Sequence, residues 1–163
     1  MAGTVAWPKE LFEVSEKILT QHVSSRIVAA LDTKSFYYLQ TINGIISTTK
    51  NITNKYLLAL LNSRLINFYY EYTFNMGAEF TTAVAIENLE KLPIKNISSN
   101  EQQPIIAVVE KIVNIASDNN YFQNQSKQLK VKEYERQIDQ MVYKLYGLTQ
   151  EEIEIVENSV KTK

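Results

Sequence analysis

The sequence predicts an α+β fold, a small and mostly antiparallel sheet packed on a central apolar helix and followed by a helical C-terminal extension. Three observations carry this. In Lys55 to Phe74, KYLLALLNSRLINFYYEYTF, the apolar residues Leu57, Leu58, Leu61, Leu65, Phe68 and Tyr72 recur at three- and four-residue steps, which puts them on one face of a helix. Brief β-branched and apolar runs precede it, separated by Ser24-Ser25, Thr33-Lys34-Ser35 and Asn43-Gly44. The last third, from Pro104 on, repeats the helical spacing in two further stretches.

Trp7-Pro8 and Leu11-Phe12 open the chain as an anchoring segment, and strands are expected over Lys17 to Gln21, Arg26 to Asp32, Phe36 to Gln40 and Gly44 to Thr49. The central helix covers one face of this sheet, because a sheet so small cannot hide its apolar side alone. Thr53 or Asn54 is placed to cap its first turn, and Gly77 lies beyond its end. Tyr56, Leu60, Ile66, Tyr69 and Tyr70 carry the apolar surface further around the cylinder, so the helix needs partners on more than one side. Asn75 to Ala85 reads as a loop, Ile86 to Leu92 as one or two helical turns, and Leu92-Pro93-Ile94 as a change of direction.

Ser98 to Asn100 are linker-like, which divides the chain into residues 1–97 and 98–163, and Pro104 is expected at or near a first helical turn. Beyond it, Ile105, Val109, Ile112 and Ala116 form one stripe, and Val131, Tyr134, Ile138, Met141 and Leu145 a second. Gly147 ends that helix, and Thr149 with Glu152 makes a capping box that starts another carrying Ile153, Val156 and Val160. Helices of this kind pack either on the sheet or on another protein.

Composition removes several kinds of chemistry. With no cysteine among 163 residues there is no disulfide, thiolate catalysis or cysteine-ligated zinc, and the single histidine, His22, rules out a histidine metal cluster. The four glycines, Gly3, Gly44, Gly77 and Gly147, lie too far apart for a glycine-rich phosphate or dinucleotide loop. Asn62, Ser63, Arg64 and Asn67 interrupt the longest apolar runs, and no basic-then-apolar leader opens the chain, so a cytoplasmic setting is expected. Net charge is -1, but Lys17 to Arg64 holds six basic residues against Asp32 alone, whereas Glu101 to the end holds 8 basic and 10 acidic residues. That asymmetry is compatible with phosphate contact on one face, while charge alone favours dispersal over a solvated surface.

The order of the pieces resembles a known family. Glu16-Lys17-Ile18-Leu19, then RIVAALD from Arg26 to Asp32, Tyr37-Tyr38, YLLALLNSRLINFYY, a loop holding Gly77, and Leu89-Glu90-Lys91-Leu92-Pro93-Ile94 together resemble the TaqI-like C-terminal specificity domain of adenine DNA methyltransferases and restriction-modification enzymes, over roughly residues 11 to 97. Gln137 to Glu157 looks like the closing segment of the long fused enzymes. The resemblance implies a target recognition domain, with duplex DNA and the methyltransferase or endonuclease domains of a parent protein as partners. In such enzymes an Asn/Asp-Pro-Pro-Tyr/Phe loop meets the flipped adenine and a glycine-containing loop holds S-adenosylmethionine. Here Pro8, Pro93 and Pro104 follow Trp, Leu and Gln, so neither loop is present, and binding without methyl transfer and without a cofactor is expected. The low positive charge departs from the family and points to weak DNA affinity of this chain alone.

Such a domain would use Lys and Arg for phosphates and polar loop residues for base edges. The candidates are Gln21, His22, Ser24, Ser25 and Arg26 in a first loop, Lys34 and Ser35 in a second, Lys50, Asn51 and Asn54 before the central helix, and Thr81 and Thr82 in the glycine loop. Each reads equally well as a solvated turn residue. Two functions compete, a DNA sequence-recognition module and an assembly module whose helices dock a methyltransferase or restriction subunit. A small enzyme built on His22 lacks any convergent acid, base or cofactor site.

Overall fold

The computed structural model describes residues 10–39, 41–47, 49–75 and 83–159. A short helix α1 (Glu10–Glu13) precedes β1 (Lys17–Gln21), β2 (Ala29–Asp32) and β3 (Ile42–Ile45), which form an antiparallel sheet in the order β2-β1-β3. Helices α2 (Asn54–Asn62), α3 (Arg64–Phe74) and α4 (Ile86–Leu89) follow, then α5 (Ser99–Ala116), a 3-10 turn at Tyr121–Gln123, α6 (Gln125–Tyr146) and α7 (Gln150–Ser159). The α+β class is as expected, and β1 occupies its expected span.

The other strands differ from expectation for local reasons. Arg26 to Val28 stay outside the ladder, and the Ile27 amide donates instead to the Asn67 side chain at 2.8 Å. Phe36 to Leu39 form no strand, because Ser35 turns the chain with a φ of 53° and the Phe36 amide folds back onto the Asp32 carboxylate at 2.9 Å. Tyr37 then stacks on Phe12 with ring centroids 5.2 Å apart, and Tyr38 packs on the same ring at 4.8 Å, tilted by 49°. Asn43-Gly44, expected as a turn, lies inside β3, where Gly44 faces Leu19 and a Cβ would fall 1.8 Å from the Tyr38 hydroxyl. The glycine makes room for a ring.

The central helix is two helices. Ser63, with φ -65° and ψ 150°, leaves the helical region; its hydroxyl donates to the Leu60 carbonyl at 2.7 Å and accepts from the Ile66 amide, so one side chain serves both helix ends. The break changes which residues are buried: Tyr56, Leu60, Leu61, Ile66 and Tyr70 are at most 2% exposed, Leu57, Leu65 and Phe68 are half-buried, and Tyr72 is 50% exposed. Thr53 caps α2 by accepting from the Tyr56 amide at 3.2 Å.

Ser98 is not a linker residue but the N-cap of α5, in a reciprocal capping box with Glu101, so Pro104 falls in the second turn of the helix. Buried Gln102 ties α5 to the start of α2, accepting from the Thr53 amide and hydroxyl and donating to the Asn51 and Ile97 carbonyls. Gly147, at φ 75°, closes α6, and the Thr149–Glu152 capping box opens α7 with bonds of 2.8 and 3.3 Å. One apolar cluster joins Ile18 and Ile27 to Leu60 and Ile66 and runs on through Ile105, Val109, Ile138 and Val142. Helices α5 and α6 therefore turn most of their apolar stripes to the core of this chain.

Candidate nucleic-acid interface

The register gives the sheet two distinct ends. At one, Thr20 faces Ala29 and Gln21 faces Ile42; at the other, Lys17 faces Asp32 and Ile18 faces Ile45. Four strand steps set them roughly 13 Å apart. The candidate residues divide between these ends.

The Gln21 end holds the first loop. The His22 amide donates to the Thr41 carbonyl at 2.8 Å, its carbonyl accepts from the Val84 amide at 2.6 Å, and Val23 bridges to Ala83. Asn43 donates to the Val84 carbonyl at 2.7 Å, and the Tyr70 hydroxyl donates to that of Ala83 at 3.2 Å. Gln21, Ser25 and Arg26 are exposed, and Ser24 turns the loop by accepting from the Arg26 amide at 3.3 Å. The Nδ1 of His22 is buried and has no hydrogen-bond partner among the described residues. Thr81 and Thr82 lie outside the described residues; Ala83, the next described position, is held at this end.

At the Lys17 end two of the five candidates, Ser35 and Asn54, are committed to the frame around a buried ion pair. Lys17 and Asp32 form a buried pair with Nζ and Oδ2 2.6 Å apart, and the ammonium also donates to the Phe12 carbonyl at 2.9 Å. Burial alone would raise the Asp32 carboxyl, but the Lys17 bond and the Lys34 and Phe36 amides lower it below its ordinary range. Ser35 donates to the Val14 carbonyl at 3.0 Å. Asn54 uses both ends of its amide, accepting from the Ser47 amide at 3.0 Å and donating to the Glu16 carbonyl at 3.2 Å. The side chains of Lys34, Lys50 and Asn51 are exposed.

Pairing also revises the local charge. Of the six basic residues from Lys17 to Arg64, Lys17 is consumed by Asp32, Lys55 by Glu110 at 2.6 Å, and Arg64 by Asp139 at 3.2 Å and by Glu157. Arg26, Lys34 and Lys50 remain as exposed cations of that stretch. Arg26 shares its field with Glu135 on α6, whose carboxyl is raised by partial desolvation and pulled down by Arg26, Lys132 and Arg64. Beside it, burial pushes the Asp139 carboxyl up to about 6 even though it accepts from the Arg64 amide at 2.8 Å.

Sequence reasoning missed Asn62 and Asn67, the two amides that reach the stem of the first loop from α2 and α3. Their one signal was polarity within an apolar helix. It also missed Asn43, hidden in what read as a turn.

Sheet, buttressing helices and a polar loop held at one sheet end make up a small α+β module, and among the described residues no group of His, Cys, Asp and Glu is arranged to hold a metal ion. The family model of the TaqI-like C-terminal specificity domain matches residues 2–94, more than half of the chain. The chain belongs to that family. No curated protein matches it. No helix among the described residues is long and apolar enough to cross a membrane.

Proposed function

We propose that this chain is the DNA sequence-recognition module of a restriction-modification adenine methyltransferase, acting in the cytoplasm and binding duplex DNA without itself transferring a methyl group. Family membership over residues 2–94 carries the reading. Residues 1–97 form the recognition unit and 98–163 its helical buttress, joined in the parent protein to methyltransferase or endonuclease domains that hold S-adenosylmethionine. The exposed Gln21, Ser25 and Arg26 side chains support placing base contacts at that end of the sheet. The packing of α5 and α6 into the core favours recognition over docking of a partner through their apolar stripes.

With Arg26, Lys34 and Lys50 as the exposed cations of the basic stretch, few phosphates are neutralised. The expected affinity for duplex is weak, within the range usual for non-specific binding, on the order of 10⁻⁴ to 10⁻⁶ M at physiological salt, with one motif preferred inside that range. Labelled duplex is titrated at two salt concentrations with wild type and with Arg26→Ala, Lys50→Ala, Lys161→Ala and Lys163→Ala. Arg26→Ala and Lys50→Ala should weaken binding and flatten its salt slope, while the two tail variants do neither. The reverse pattern would put the interface on the wrong third of the chain. Incubation with labelled S-adenosylmethionine and duplex should transfer no methyl groups.

A further inference from the structure

The loop from Ser24 to Arg26 leaves β1 through a stem fixed by backbone bonds at His22 and the Val23–Ala83 bridge, and it rejoins the sheet through Ile27 and Ala29. That second stem is held by side chains. Asn62, the last residue of α2, accepts from the Ala29 amide at 3.0 Å and donates to the Ala29 carbonyl at 2.9 Å, so its amide stands where a neighbouring strand's peptide would be. Asn67 accepts from the Ile27 amide at 2.8 Å, while its Nδ2 donates to the Leu61 carbonyl at 2.9 Å and to the Ser63 carbonyl at 3.0 Å, which also accepts from the Asn67 amide at 3.1 Å. Ile27 itself is 1% exposed and anchors the stem in the core.

We propose that Asn62 and Asn67 are positioning residues for sequence readout, clamping the stem so that Ser24, Ser25 and Arg26 meet base edges in one fixed geometry. This rests on the DNA-recognition reading above. Phosphate attraction tolerates a loose loop, whereas hydrogen bonds to base edges require donors and acceptors held to within about 0.5 Å. Loss of the clamp should therefore cost selectivity more than bulk affinity.

Three variants of the full chain separate this role from stability. Asn62→Leu and Asn67→Leu remove the clamp; Asn67→Asp keeps an acceptor for the Ile27 amide but loses the donors to Leu61 and Ser63. Amide exchange is followed at Ile27, Ala29 and Leu60, binding to a fixed duplex is measured, and each protein selects from a randomised duplex pool. In the two leucine variants the stem amides they release should exchange at least about tenfold faster while Leu60 stays protected. Enrichment of the wild-type motif should fall about tenfold or more, with affinity for the fixed duplex within about threefold. Asn67→Asp should retain protection at Ile27 and selection of the motif. Leucine variants that enrich the motif as wild type does overturn the inference alone, and so does Asn67→Asp behaving as Asn67→Leu, which would assign the effect to the helix break. A wild-type chain that binds no duplex or enriches no motif overturns the DNA reading and the inference with it.

Discussion

Replacing Lys17 by methionine should destabilise the chain in a way that depends on pH with a defined sign. Lys17 and Asp32 side chains are 0% and 2% exposed, and the pair is the outermost rung of the β1–β2 ladder. Removing one partner of such a pair leaves the buried carboxylate without its counter-ion, held by the Lys34 and Phe36 amides alone, at a cost of about 3–5 kcal/mol at neutral pH. In the wild type the Asp32 carboxyl lies below its ordinary 3.8, so its contribution to stability is present above that value and is lost as pH falls through the folded pKa. Without the ammonium the two lowering causes that Lys17 supplies are lost and burial acts against the Lys34 and Phe36 amides alone, so the folded pKa is higher than in the wild type and the carboxylate contributes less stability above it. The gap between wild type and Lys17→Met, read from urea denaturation, should widen as pH rises through the carboxylate range and be smaller near pH 3 than at pH 7. A gap equal at both pH values, or one below about 1 kcal/mol at pH 7, would refute this account of the pair.

Three further outcomes follow from packing and charge. Leu61→Ala, at a site 2% exposed, should cost roughly 2–5 kcal/mol, and Leu65→Ala, half-buried beyond the break, clearly less; equal shifts in denaturation midpoint would show that Ser63 does not re-phase the helix. Gly44→Ala should cost about 1–3 kcal/mol by displacing the Tyr38 ring and almost nothing in a Tyr38→Ala background, so an additive double-mutant cycle would contradict the contact. Burial raises Asp139 from 3.8 to about 6, so its contribution favours the folded state below the lower value and is lost as pH rises through the upper one. Relative to Asp139→Asn, the wild type should therefore lose roughly 2–3 kcal/mol between pH 4 and 7, and a flat or rising difference would reverse the assignment.

The fold class, the span of β1, the caps at Thr53, Gly147 and Thr149 and the family were legible in the residues, because each rests on local spacing or on a short motif. The exact strands were not. Phe36 to Leu39 have strand-like composition, yet the Asp32 carboxylate captures the Phe36 amide and ring contacts with Phe12 take Tyr37 and Tyr38. Ser63 reads as a polar interruption of an apolar helix, and only its hydroxyl's bonds to Leu60 and Ile66 make it a boundary.

What the sequence determined by itself is what neighbours in the chain decide: helical stripes, capping boxes, and the absence of cysteine and of glycine-rich loops. Tertiary structure alone decided which polar residues are available. Lys17, Lys55 and Arg64 count as positive charge in the sequence and are paired with Asp32, Glu110, Asp139 and Glu157 in the fold. It also sent Arg26 and Lys50 to opposite ends of the sheet and brought Asn62 and Asn67 to Ala29 and Ile27, partners 33 and 40 residues away. The physical reason is that a charge or an amide carries no record in the sequence of its partner; desolvation on folding makes an unpaired group costly, and the nearest complementary group in space supplies the pair.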